Sequence, residues 1–452
     1  MSIALIILAA GKGTRMNSDL PKVLHPIATA PLLIHAMKSA ASLEPEKTVI
    51  VVGHGGDAVG PVASDFDETA VIVTQQEQLG TGHAVGIAAD ALNGFAGDAL
   101  ILYGDTPFIR PETLERMAAA RDKFEIVILG FTAADPGRYG RLVMAGDTLE
   151  KIVEFADAKD EERTITLCNS GVIMANIDTL QSLVSQIDNN NASGEYYLTD
   201  IVEIARKRGL SATSVTCDES ETLGINSRAE LAAAEAAFQS RARQNALQDG
   251  VAMQAPDTVY FAHDTVIGRD AIIEPNVYFG PNVTVESGAH IRAFSHLEGC
   301  HVSRGAIVGP FARLRPGAEL SENVRIGNFV EIKNAQIDSG AKVNHLSYVG
   351  DAEIGKAANL GAGTVTCNYD GVMKHKTVIG EGAFIGSSTM LVAPVRIGAQ
   401  AMTASGSVIT KDVPDEALAL ARPPQVNKLG LAKKLFAILR LKKKKRDSEG
   451  VI

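Results

Sequence analysis

The sequence predicts two folds in one chain: a Rossmann-like α/β domain with a mostly parallel sheet, followed by a parallel β-helix. Three observations carry this. From Ile267 an aliphatic or Phe residue recurs at every sixth position: Ile267, Ile273, Phe279, Val285, Ile291 and Leu297, then Val302, Val308, Leu314, Leu320, Ile326 and Ile332. A helix repeats its inward face every 3.6 residues and a strand every 2, so a beat of six requires short strands joined by tight turns, each giving one plug to a shared interior. Second, the first 227 residues alternate apolar runs with Ala-rich helical stretches, the pattern of βαβ units. Third, 452 residues exceed one ordinary core. The domains expected are 1–227, a connecting helix over 228–250, the β-helix over 251–412, and a C-terminal segment over 413–452.

Residues 3–8 read as a strand buried on both faces, running into Ala9-Ala10-Gly11-Lys12-Gly13-Thr14-Arg15-Met16 and then Pro21-Lys22. Glycines after a strand let backbone N–H groups converge on an anion, and Lys12, Arg15 and Lys22 supply positive charge. The run is neither GxGxxG nor the GxxxxGK[ST] loop, so the two commonest nucleotide motifs are excluded. Further strands are expected at 48–52, 70–74, 99–102, 126–131 and 171–174. Ligands of such sheets sit beyond the carboxyl ends of the strands. There the sequence places Gln75 to Gly82 (QQEQLGTG), Tyr103-Gly104-Asp105 and Asn169-Ser170-Gly171. Asp105 ends an apolar strand, and a hard cation such as Mg²⁺ would neutralise it.

Ser227 can cap a helix running to about Gly250, a rod of about 30 Å that serves as a connector. The β-helix, at about eighteen residues per three-sided coil, amounts to roughly eight coils. Its beat shortens by one residue before Ile337, Val343 and Val349, continues at Ile354 and Leu360, and returns at Ile379, Ile385, Leu391 and Ile397. Between Leu360 and Ile379 lies the insertion GAGTVTCNYDGVMKHKT. Departures from a rigid repeat are where function is usually placed. Arg313, Arg315, Lys333-Asn334 and His345-Leu346-Ser347-Tyr348 lie beside plugs, so several coils could aim polar side chains at one external surface. His345 has a suitable pKa range for a base.

The net charge of −10 argues against a general nucleic-acid binder. The tail opposes that balance, with Lys433, Lys434, Arg440, Lys442, Lys443, Lys444, Lys445 and Arg446; it is either a solvated terminus or an attractor of coenzyme phosphates. Cys168, Cys217, Cys300 and Cys367 are widely spaced and read as free thiols of a reducing cytoplasm. No apolar run approaches the roughly 20 residues of a membrane-spanning helix. The other histidines, His54 among them, form no ligand pair and receive no catalytic role.

The runs LAAGKGTRM, SDLPKVLH, EQLGTGHA, YGDTPF, YGRL, IVEF and GEYYLTD resemble the sugar-1-phosphate nucleotidyltransferases. Together with the hexapeptide repeat, residues 3 to about 425 resemble the bacterial family of bifunctional N-acetylglucosamine-1-phosphate uridyltransferases and glucosamine-1-phosphate acetyltransferases. The resemblance implies a left-handed β-helix, a cytoplasmic homotrimer, Mg²⁺, and UTP and acetyl-CoA as co-substrates of glucosamine-1-phosphate and N-acetylglucosamine-1-phosphate. The product would supply peptidoglycan and lipopolysaccharide synthesis. It implies that Leu8, Ala9, Ala10, Gly11 and Lys22 hold the nucleotide and its phosphates, and that Gln75, Gly80 and Thr81 surround the uracil. Tyr103, Gly104, Gly140, Glu154, Asn169 and Tyr197 would line the sugar side, with Asp105 and Asn226 as metal ligands. His345 would be the catalytic base. Arg315, Lys333, Tyr348 and Asn359 would bind glucosamine-1-phosphate, and Ala362, Asn368, Tyr369, Ser387, Ser405 and Arg422 would meet acetyl-CoA. Position 405 departs from the family pattern, with Ser where Ala is usual, so a role for its backbone is the firmer expectation.

Overall fold

The structure is a computed structural model that describes residues 2–448 apart from His54; that histidine and the last four residues of the expected C-terminal segment lie outside the described residues. The described residues divide into two compact units, one holding those up to Gln248 plus Tyr260–Thr265, the other Asp249–Val259 plus those from Val266 onward.

In the first unit the main path of the sheet runs Ala212–Cys217, Ile126–Thr132, Leu167–Asn176, Asp98–Tyr103, Ile3–Ala9, Lys47–Val52 and Val71–Thr74. All neighbours are parallel except Leu167–Asn176, which is antiparallel to both of its partners. Every residue of Ile3–Ala9 is buried. Ala4, Ile6 and Leu8 pack into one apolar cluster and Ile3, Leu5, Ile7 and Ala9 into another, so the two faces of the central strand serve separate helical layers. That double burial explains why this strand reads as an unbroken apolar run.

Three features differ from expectation. Asn169, Ser170 and Gly171 are not a loop beyond a strand end: they form a bulge within Leu167–Asn176, where the register shifts between Asn169 and Ile173. The Ser170 hydroxyl donates to the Leu129 carbonyl at 2.7 Å in place of a ladder bond. Strands Arg141–Ala145, Thr148–Val153 and Ala212–Cys217 are not among those expected: the first has an apolar run of only four residues, and the other two mix polar with apolar residues. Finally, helix Arg228–Gln248 is no free rod. Ala234 and Gln239 are buried, and Leu231 and Phe238 pack against Ile27, Leu32, Phe108 and Ile225. Tyr260–Thr265 returns to this unit: the Phe261 N–H donates to Gln239 Oε1 at 2.9 Å, Gln239 Nε2 donates to the Phe261 carbonyl at 2.7 Å, and the His263 N–H donates to the Ala28 carbonyl at 2.8 Å.

The second unit is a parallel β-helix whose plugs stand in register on three faces. One ladder carries Ile273, Ile291, Val308, Ile326, Val343, Leu360, Ile385 and Thr403. A second carries Phe279, Leu297, Leu314, Ile332 and Val349. The third runs from Ile267 through Val285, Val302, Leu320, Ile337, Ile354 and Ile379 to Ile397. Among the described residues the first face has ten strands, from Ala252–Met253 to Leu418–Ala419, so the stack exceeds the eight coils expected. The insertion is also shorter than expected. Val365–Cys367 continues the second face, paired with Tyr348 and Met390–Val392, and buried Thr366 takes the plug position. Its hydroxyl donates to the Gly350 carbonyl at 3.0 Å, which satisfies a polar plug in an apolar interior. The coil departs only at Asn368, into a small hairpin closed by a Tyr369–Lys374 bridge. Beyond the coils, the tail forms an exposed helix, Leu431–Ser448.

Candidate functional site

Two constellations are built, one in each unit. In the first, the Leu8 carbonyl accepts from the Gly104 N–H at 3.0 Å, tying the turn after Asp98–Tyr103 to the central strand. The Lys22 ammonium donates to the Asp105 carboxylate and, at 3.0 Å, to the Asn226 carboxamide oxygen. Residues far apart in sequence thus meet at one point, with the Lys22 and Asp105 side chains largely withdrawn from solvent. Gly13 makes this possible: its φ is 59°, and a Cβ there would lie 2.7 Å from the Lys22 Cβ. Lys12 and Arg15 stay exposed, so of the three cations the sequence offers, Lys22 is the one brought to Asp105. Asn226 is held by the helix start. The Asn226 and Ser227 N–H groups donate to Glu230 Oε2 at 2.6 and 3.0 Å, and the Ser227 hydroxyl accepts from the Glu230 N–H at 3.2 Å, a capping box.

The donor chemistry fits a hard divalent cation, since a carboxylate and a carboxamide oxygen both face one cationic point. Among the described residues no group of three or more His, Cys, Asp or Glu side chains is placed to hold a metal. Two protein oxygens completed by phosphate oxygens and water is a common arrangement for Mg²⁺.

Around this point, Gln75 is buried, its side-chain amide donating to the Gly80 carbonyl and to His83 Nδ1, both at 3.1 Å. Gly80 has a φ of 117° and passes so close to the Tyr196 carbonyl that a Cβ would lie 2.6 Å away. Thr81 accepts from the Leu198 N–H at 3.1 Å, and the Gln78 amide donates to the Ala10 carbonyl. On the other side, Gly140 leaves 3.4 Å between a notional Cβ and the Glu154 carboxylate. The Asn169 N–H donates to the Gly140 carbonyl at 2.9 Å. Burial raises the pKa of Glu154, against a hydrogen bond from Thr199 at 3.2 Å that lowers it. Burial likewise raises the Tyr103 phenol, with Asp105 and Glu154 adding repulsion. Tyr197 donates to the Ser193 hydroxyl at 2.6 Å. Arg141 is buried in a cage of carbonyls, donating to Gly137 at 3.0 Å and Pro136 at 3.3 Å, and so fixes the turn that presents Gly140.

In the second unit one corner of the β-helix carries a continuous column. Asn328, His345, Ala362, Ser387 and Ser405 each stand two residues beyond a plug of the first face, on successive coils. Backbone bonds link them: Leu346 N–H to the Asn328 carbonyl at 3.1 Å, Gly363 to His345 at 3.1 Å, Ser388 to Ala362 at 2.7 Å and Gly406 to Ser387 at 2.8 Å. Arg422 donates to the Ser405 carbonyl at 3.0 Å, so the backbone of position 405 is the part engaged. His345 is exposed, and its Nδ1 lies 2.9 Å from Asn328 Oδ1. An amide oxygen only accepts, so in the neutral ring this contact selects the tautomer with the proton on Nδ1 and the lone pair on Nε2. Asn328 was not singled out from sequence, although it stands 17 residues before His345 and so in register with it.

A second corner gathers charge. Arg315 and Lys333 follow plugs on successive coils, and Arg315 pairs with Glu331 at 2.9 Å. The Lys374 ammonium lies against that of Lys333, which lowers its pKa. Burial alone would raise Asp351, but hydrogen bonds from Asn334 and Asn368 hold its carboxyl below the usual range. Asn368 therefore stands beside Tyr348, whose hydroxyl is 3.5 Å from its amide, rather than on the Ala362–Ser405 column. Tyr369 is exposed in the hairpin, its hydroxyl on the Gly371 carbonyl at 2.6 Å. Asn359 stands on the first face between Lys342 and Phe384, three residues before Ala362.

Residues 5–168 match the MobA-like NTP transferase domain, and residues 264–299 match the six-repeat bacterial transferase hexapeptide. The chain is 67% identical over 449 residues to a protein of Ruegeria pomeroyi called bifunctional protein GlmU, covering 99% of this chain and all of the relative. Proteins of the same name from Roseobacter denitrificans and Jannaschia sp. are 66% identical over 447 residues and 64% identical over 438. They span 99% and 97% of this chain, and 99% and 96% of their own lengths.

Proposed function

The chain belongs to the bifunctional GlmU family, and on that premise we propose that it makes UDP-N-acetylglucosamine by acetyl transfer in the β-helix followed by uridylyl transfer in the α/β unit. The observation that carries the two-site reading is the corner column, which sets a histidine of defined tautomer at the head of a line of small residues. A β-helix serving only assembly has no use for that arrangement.

In acetylation, the amine of glucosamine-1-phosphate attacks the thioester carbonyl, a C–N bond forms, the C–S bond breaks to release the coenzyme thiolate, and the proton lost by the nitrogen passes to His345 Nε2 and from there to the departing sulfur. Arg315, Lys333 and Lys374 hold the sugar phosphate, because cations forced together are relieved by an anion. Tyr348 and Asn359 orient the sugar. The coenzyme lies along Ala362, Ser387 and Ser405, a span of roughly 14 Å from His345 at one strand spacing per coil, with Arg422 beside it; Asn368 and Tyr369, which stand off that column, would meet it from the Tyr348 side and the hairpin.

In uridylylation, a phosphate oxygen of N-acetylglucosamine-1-phosphate attacks the α-phosphorus of UTP and pyrophosphate leaves. Leu8, Ala9, Ala10, Gly11 and Lys22 hold the nucleotide and its phosphates, with Lys22 neutralising charge; Gln75, Gly80 and Thr81 enclose the uracil. Tyr103, Gly104, Gly140, Glu154, Asn169 and Tyr197 fix the sugar. Asp105 and Asn226 would hold Mg²⁺, which supplies further charge neutralisation. No protein nucleophile is needed.

Assembly as a cytoplasmic homotrimer with a left-handed coil belongs to this reading. Beside the column, Phe294, Phe311, Phe329 and Leu346 are all exposed, with the phenyl rings stacked at 4.9 and 5.4 Å, an apolar ridge that another copy would cover. Both half-reactions should be assayed on one purified sample of the intact chain and of Asp105→Ala. Both proceed in the intact chain, and Asp105→Ala loses uridylyl transfer alone. Uridylyl transfer without any acetyl transfer in the intact chain would leave a single-activity nucleotidyltransferase.

A further inference from the structure

We propose that helix Leu431–Ser448 is an interfacial anchor that lays the protein on an anionic lipid bilayer. The helix spans 18 residues, and its side chains through Asp447 are all exposed. Over residues 431–439, at 100° per residue, Leu431, Leu435, Phe436, Ile438 and Leu439 fall within one arc of about 160° with Lys433 outside it; in the following turns Lys442, Lys443 and Arg446 take over that arc and Leu441 falls outside it, so the apolar stripe belongs to the first half of the helix and the polybasic run to the second. Phe436 and Leu439 expose 62% and 57% of their surface. The uninterrupted run from Lys442 to Arg446 follows at once, and Asp447 is the one acid in the segment.

A frayed, solvated terminus accounts for the charges but not for an apolar stripe held open to water. Coenzyme phosphates likewise engage the charges and leave the stripe unexplained. A second copy of the helix would cover the stripe but would bring two strongly cationic segments together. An anionic bilayer satisfies both features: the stripe enters the acyl boundary while the cations meet the headgroups. An apolar face joined to a polybasic run supplies the two signals that stable but reversible attachment needs. Because the remainder of the chain is acidic, this segment is where an anionic surface can be approached. Among the described residues no helix is long and apolar enough to cross a membrane, so the attachment lies in the interface plane.

The test is co-sedimentation of the intact chain with vesicles of phosphatidylglycerol and phosphatidylcholine, against phosphatidylcholine alone. The intact chain should partition at least about tenfold more strongly onto the anionic vesicles, and should be released as salt is raised to about 0.5 M. Leu435→Glu with Leu439→Glu, and separately Lys442→Ser with Lys443→Ser and Lys444→Ser, should each weaken binding at least about tenfold while both soluble half-reactions stay unchanged. The proposal is overturned if the intact chain stays in the supernatant with anionic vesicles, or if both variants bind as it does. It is equally overturned if the apolar variant changes the size of the assembly in solution, which assigns the stripe to contact between copies. A raised KM for acetyl-CoA on deleting residues 430–452, with no vesicle binding, assigns the charges to the coenzyme. Binding to an RNA homopolymer in place of vesicles assigns them to nucleic acid.

Discussion

His345 can act as a base only if the ring nitrogen turned to substrate is the unprotonated one, and Asn328 decides this by accepting from Nδ1. Asn328 is a positioning residue. Asn328→Ala should lower kcat for acetylation by about tenfold to a hundredfold, with little change in KM. Asn328→Asp puts a carboxylate beside the ring and stabilises the imidazolium, so the acid limb of the pH profile should move up by about one unit. An unmoved profile in Asn328→Asp contradicts the assigned tautomer. Asp200 is a second case: burial first, then repulsion from Asp188, Glu203, Glu154 and Asp157, pushes it up to about 6, although it opens a helix. The native state thus keeps a proton that the unfolded chain loses, and stability falls as pH rises from 3.8 to about 6. Asp200→Asn should raise the Tm above pH 6 and flatten its pH dependence below, as thermal melts across pH 4.5 to 7.5 would show. Asp105 is legible in the sequence because it ends an apolar strand, Lys22 because it follows a glycine loop, and His345 because it stands beside a plug of the six-residue beat. Asn328, Asp351 and Lys374 are not, because their importance lies in what a neighbouring coil places beside them.

Among elements, those buried on two faces or locked to the six-residue beat are readable from sequence, since one physical constraint dominates each position. The hairpin strands Arg141–Ala145 and Thr148–Val153 escape that logic, the first because its apolar run is only four residues long and the second because it is half-polar. So does the bulge at Asn169, which a run of small and polar residues suggests only as a loop. The helix Arg228–Gln248 shows a different failure. Its Ala-rich sequence has weak amphipathic character and suggests a solvated rod, yet tertiary contacts through Ala234, Phe238 and Gln239 bind it to the α/β unit. Tyr260–Thr265 completes this packing. A fragment ending at residue 265 should therefore melt higher than one ending at 250. Loss of three hydrogen bonds and the buried Phe261 contact is worth about 2 kcal/mol or more, and for a unit of this size about 4–8 °C. Equal melting temperatures would return the segment to the role of a linker.

At the scale of the whole molecule, each unit carries its own constellation: Lys22, Asp105 and Asn226 in one, the column headed by His345 in the other. Their separation in sequence makes both folds legible independently, whereas the convergence within each requires long-range pairing that no local pattern encodes. The account's central claim is that the β-helix is catalytic. It is tested most directly by assaying both half-reactions in His345→Ala. Removal of a general base costs about 10² to 10⁴ in rate, so acetyl transfer should fall across that range. Because His345 is exposed outside the apolar stack, the Tm, the assembly size and uridylyl transfer should be unchanged. Acetylation at the wild-type rate from pH 6 to 9, or unfolding of the variant, would contradict the assignment.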